Sequence, residues 1–125
     1  MRRLAAATIL STFFYLSQYG QIEAHHYFAN FHEEQMVLRG KIVDVFIENP
    51  HGILTVKAGG HEWDVYLGSV RHSNRVGLSE DLFRRGDPIV IYGHPSVNPD
   101  DFELMSIRII YRGKTYEIFQ DIGDR

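Results

Sequence analysis

The chain has 125 residues, a formal net charge of −3 and no cysteine. That length allows one small domain with a real core rather than two. The mild acidity argues against nucleic acid and anionic membrane surfaces as partners. The missing cysteine excludes disulfide staples, thiolate metal sites and thiol catalysis.

Met1-Arg2-Arg3 is a positive start, residues 4–16 are mostly apolar, and residues 17–24 are a polar stretch ending in Ile22-Glu23-Ala24. That three-part layout predicts a secretory signal peptide over 1–24, removed after Ala24. The apolar run is shorter than the roughly 20 residues of a membrane span. No membrane insertion is therefore expected after cleavage, and the mature protein is expected to be periplasmic or secreted. The cut takes away Arg2, Arg3 and Glu23, which makes the remainder one charge more acidic.

Residues 25–36 form an aromatic, His-rich arm without a clean period. The domain proper is expected over 37–120, with a frayed end at 121–125. Residues 37–48 read as a first strand with a bulge at Gly40. Asn49-Pro50-His51-Gly52 reads as a turn. Residues 52–58 are a second strand, and Gly59-Gly60 turns it into a hairpin. Residues 61–67 alternate clearly: His61, Trp63, Val65 and Leu67 on one face, Glu62, Asp64 and Tyr66 on the other.

Residues 68–77 break that pattern and read as a loop carrying Arg71, His72 and Arg75. Ser79 followed by Glu80 and Asp81 predicts a short helix that ends at Arg84-Arg85-Gly86. Asp87-Pro88 opens a fourth strand through Tyr92. Residues 93–101 are a loop, 102–111 a fifth strand and 115–119 a short sixth.

The order predicts a mainly β fold: a five- to six-stranded OB-like barrel with one short helix between strands three and four. An open sandwich is the second choice. The inward stripe is expected to hold Ile42 or Val43, with Leu54, Val56, Trp63, Val65, Ile89, Ile91, Leu104 and Ile109.

The chain resembles a family of small exported bacterial proteins of unknown function. The resemblance rests on Ala24-His25-His26-Tyr27-Phe28-Ala29, on Gly40-Lys41-Ile42-Val43 leading to Asn49-Pro50-His51, and on Trp63 followed by Gly68-Ser69. Gly86-Asp87 before Gly93-His94-Pro95 completes it. It spans nearly the whole expected mature chain, and His32 departs from it, since an acidic residue is usual there. It implies a small β domain outside the cytoplasm and carries no reaction with it. More distantly the chain is similar to periplasmic OB-fold proteins that serve as binding modules.

Seven histidines set the chemistry that the sequence suggests. Cleavage after Ala24 gives His25 a free amine beside its ring, a chelate within one residue. Imidazole suits copper and zinc. His25, His26 and His51 are thus the expected ligands of a divalent copper or zinc ion. In an extended arm His25 and His26 point to opposite sides, so the arm has to turn for both to bind. A ligand face of Trp63, Tyr66, Arg71 and His72 is the second candidate site, suited to an anion or an oligosaccharide. Neither a nucleophile elbow nor a phosphate-cradling loop is present, and no enzyme activity is expected. The leading function is an exported binding protein for copper or zinc. The alternative is a metal-free interaction or ligand-binding module whose arm, with Tyr27, Phe28 and Phe31, docks on the barrel or on an unknown protein partner.

Overall fold

The computed structural model describes residues 30–48 and 51–118. The expected signal segment, His25, His26, Tyr27, Phe28, Asn49-Pro50 and the C-terminal residues 119–125 lie outside the described residues. Phe31–Arg125 forms a unit of its own.

The chain order is β1 (Met36–Glu48), β2 (His51–Ala58), β3 (His61–Ser69), α1 (Val70–Val76), a 3-10 turn (Glu80–Leu82), β4 (Pro88–Pro95), β5 (Glu103–Tyr111) and β6 (Lys114–Glu117). The sheet runs β3-β2-β1-β4-β5-β6, and a further β3–β5 pairing closes five of its strands into a ring. That closing contact is parallel and short, Asp64 to Tyr66 against Glu103 to Met105. β6 pairs with the far end of β5, from Arg108 to Tyr111. This is the expected OB-type barrel with an extra strand, and the ring closure rules out the open sandwich.

Side-chain alternation fills the interior. Leu54, Val56, Val65, Ile91, Leu104 and Ile109 are fully buried, with Ile42 and Ile89 nearly so. Trp63 is half-buried and packs against this core. Of the Ile42/Val43 pair, Ile42 points inward. The register of β1 on β2 shifts between Ile42 and Asp44. The bulge therefore lies at Val43 and not at Gly40, as the sequence suggested. Gly40 instead allows a close approach of two strands, since a Cβ there would run into the Lys57 carbonyl and the Val56 side chain.

The helix between β3 and β4 exists, but ten residues earlier than its Ser79 signal. Ser69 caps α1, its Oγ accepting from the His72 amide at 3.1 Å. Gly77 ends it in the left-handed region, its amide returning to Asn74 and Ser73. Ser79 makes no side-chain cap, and only a 3-10 turn follows it. A seven-residue helix offers too few turns for a periodic signal, and the Ser-Glu-Asp pattern outweighed it.

β4 also runs on through Gly93-His94-Pro95, which the sequence placed in a loop. Gly93 is needed there because a Cβ would meet the Met105 backbone. Likewise His51 belongs to β2 rather than to the turn, one residue ahead of the expected strand start at Gly52.

One polar clamp ties the start of β4 to the end of β5. The buried Tyr111 hydroxyl donates to Asp87 Oδ2 at 2.5 Å and accepts from the Arg84 amide at 3.1 Å. Arg112 adds Nη2 and Nε on the same oxygen at 2.7 and 3.1 Å. The Tyr111 hydroxyl, and after it Arg112, hold the Asp87 carboxyl below the ordinary range. Burial, and then Asp87, push the Tyr111 phenol above its own.

Two outcomes are expected. Ser69→Ala should cost about 1 kcal/mol of unfolding free energy, whereas Ser79→Ala should stay within about 0.5 kcal/mol, both read from urea titrations. The depressed Asp87 contributes stability that is present above the unfolded carboxylate value near pH 4 and lost as pH falls through the folded value. Asp87→Asn should therefore flatten the acid side of the stability profile, measured as denaturation midpoints from about pH 6 downward. Tyr111 works at the other end, where stability falls above about pH 10 as the unfolded phenol ionises first.

Candidate functional site

The residues that face outward from β1, β2 and β3 come into line through register. Phe46 lies opposite Ile53. Ile53 lies opposite Tyr66, and Tyr66 opposite Met105. One apolar row therefore crosses four strands on the outside of the barrel. Its exposure is graded. Phe46 is 51 % exposed and Met105 only 1 %, with Ile53 and Tyr66 half-buried between them.

The covered end of the row is where the arm enters. Phe31 bridges to Ser96 and sets its ring edge-on to Tyr66 at 6.3 Å. The His32 amide donates to the Pro95 carbonyl at 2.8 Å. Fully buried His94 donates from Nδ1 to the His32 carbonyl at 2.8 Å. Since a carbonyl can only accept, that contact fixes the proton on Nδ1.

Carboxylates flank the row. On one side, in register across the strands, stand Asp44, Asp64 and Glu103, with Thr55 between the first two. Tyr66 donates its hydroxyl to Glu103 at 3.3 Å. On the other side Glu48 stands opposite His51. Arg85 holds Asp44 at 2.8 Å. The Asp44 carboxyl is pulled below its usual range, first by the Val45 amide and then by Arg85. Among the described residues no ion pair engages Glu48, Glu62 or Asp64.

β1 pairs with β4 only as far as Lys41, so among the described residues no strand lies on that edge of its second half. Two carboxylates meet the amides there: Asp44 Oδ1 takes Val45 N–H at 3.0 Å, and Glu80 Oε1 takes Ile47 N–H at 2.9 Å. Charged caps of this kind keep an edge from adding a stray strand.

The residues expected to form one ligand face are divided by the sheet. Tyr66 belongs to the outer row. Trp63, of opposite parity on β3, turns to the barrel end, where it meets Phe102 edge-on at 5.3 Å. His61 stacks on the same ring at 4.0 Å. Arg71 is exposed on α1, and His72 is half-buried on it. Of the expected metal ligands only His51 lies within the described residues, exposed at the start of β2 and opposite Ser69 on β3. Among the described residues no group of three His, Asp or Glu side chains is placed to hold a metal ion. The sequence missed Phe46 and Ile53. Their only signal was an apolar residue on the polar side of each strand.

A model of a family of unknown function (DUF6152) matches residues 15–103, most of the chain. The chain belongs to that family. The family match runs from ahead of the arm through β4 to the first residue of β5, so it includes the whole Phe46–Ile53–Tyr66 row. No curated protein matches the chain.

Phe46 and His94 should part company under substitution. Phe46→Ser should leave stability within about 0.5 kcal/mol, because the ring already faces water. His94→Ala should cost about 2 kcal/mol or more and speed hydrogen exchange at the His32 amide. Urea unfolding and amide exchange by NMR read the two effects.

Proposed function

We propose that this protein is an exported binding module that works through the outer face of β1, β2 and β3. The observation that carries this reading is the Phe46–Ile53–Tyr66 row, exposed at one end and aligned across three adjacent strands. Contiguous apolar surface rimmed by polar residues marks interaction sites more than a lone exposed side chain does. The strands of this face and the loops beside them are where OB barrels take ligands. The flanking carboxylates disfavour nucleic acid, whose phosphates they would repel. The Met1-Arg2-Arg3 start, the short apolar run and Ala24 support export.

A shift map with isotope-labelled protein tests this. Small aromatic compounds, saccharides and short peptides are added singly. Binders should move the amides of residues 44–48, 53–55 and 64–66 saturably. Shifts confined to His61, Trp63 and Phe102, or to α1, would contradict the reading.

A second reading rests on Ala24-His25-His26. After cleavage, the His25 amine and ring would chelate divalent copper or zinc, with His26 and His51 as further ligands. Native mass spectrometry of the exported protein should then show a chain starting at His25 with one retained metal. One extra residue ahead of His25 should abolish retention. Equal metal content in both forms would dismiss the chelate.

A further inference from the structure

We infer that the outer face takes a cationic peptide segment of a partner protein, an extended stretch with basic side chains on either side of an apolar one. This inference rests on the binding role proposed for that face and adds the chemistry of its occupant.

Three features converge on it. The apolar row runs across the strands, and the carboxylates stand one row away on both sides, Glu48 on one, Asp64 and Glu103 on the other. Rows on one face of a sheet are two residues apart, about 6.6 Å along the strand. An extended peptide repeats same-side residues at that same interval. An apolar side chain seated on Ile53 would thus carry neighbours two positions away to Glu48 and to Asp64.

Charge supplies the sign. Glu48, Glu62 and Asp64 have no ion-pair partner among the described residues, while Asp44 is already held by Arg85. Apart from that Arg85, the cations in register on these strands, Lys41 and Lys57, face each other at the far end of β2, beside Glu62. The middle of the face is left with negative potential around apolar surface. Arginine matches both halves of that surface, since its guanidinium pairs with carboxylates and also stacks on aromatic faces. Phe46 and Tyr66 are such faces. A polyamine or a bare metal ion would leave the apolar row uncovered, and an anionic ligand would meet the carboxylates.

Calorimetric titration of the mature protein tests the inference. The probe is a synthetic peptide that alternates arginine, threonine, leucine and threonine; its control has glutamate in place of arginine. The arginine peptide should bind and weaken as salt rises, and the glutamate peptide should not bind. Asp64→Lys should lower affinity roughly tenfold or more. Phe46→Ser should lower it as well, and Glu117→Lys, on β6, should leave it unchanged. Circular dichroism confirms that each variant is folded, and Asp64→Asn stands in if Asp64→Lys is not. Equal binding of both peptides, or equal effects of the changes at 64 and 117, would overturn the inference. If neither peptide binds while small ligands still shift residues 44–48 and 53–55, the cationic class fails alone. If those shifts also lie elsewhere, the proposed binding face fails with it.

Discussion

β1 pairs with β4 through residues 36–41 and with β2 through residues 41–48, and the barrel and its outer face both follow from that double pairing. In a small closed barrel, a strand that passes from one neighbour to the next bends on the way, and a bulge supplies such a bend. Here the bend needs two devices. Gly40 lets the strand pass against the Lys57 carbonyl, where no Cβ has room. The register shift at Val43 then resets the alternation, so that Val45 and Ile47 turn to the core while Asp44, Phe46 and Glu48 turn out. Without that shift the second half of β1 would present the opposite face, because a one-residue slip reverses every side chain. Phe46 lines up with Ile53 and Tyr66 only as a result of it.

The same geometry leaves an edge of β1 and one end of the row to be closed by side chains and the arm. The amides on the free edge of β1 are met by Asp44 and Glu80. At the other end of the row the arm closes over through Phe31 and His32, held by His94 and Pro95. What remains open is the Phe46 side, with carboxylates on its margins. The closed ring protects the backbone, and Phe46 is left facing water.

Much of the barrel was legible in the sequence because its signals are local. The alternation of residues 61–67, the Gly59-Gly60 turn and the Asp87-Pro88 strand start each depend on neighbouring residues. What was not legible depends on distant ones. Ser79-Glu80-Asp81 looked like a helix start, yet Glu80 caps an amide 33 residues away, on Ile47. Gly93-His94-Pro95 looked like a loop, yet Gly93 makes room for Met105 and His94 bonds to the carbonyl of His32. The apolar outer row is the extreme case, for it exists only in the register of several strands. Trp63 and Tyr66 show the converse. Their opposite parity on β3 was readable from the start and already separated them. The metal reading differs in kind, since it rests on the chemistry of a free N-terminus and not on the barrel.

The most direct measurement is the fluorine NMR signal of a single fluorophenylalanine at position 46, followed while a ligand is titrated in and binding is recorded calorimetrically. If the outer face is the binding surface, that resonance should shift saturably, in step with the calorimetric isotherm. A resonance that stays still while the ligand saturates would place binding elsewhere and contradict the account.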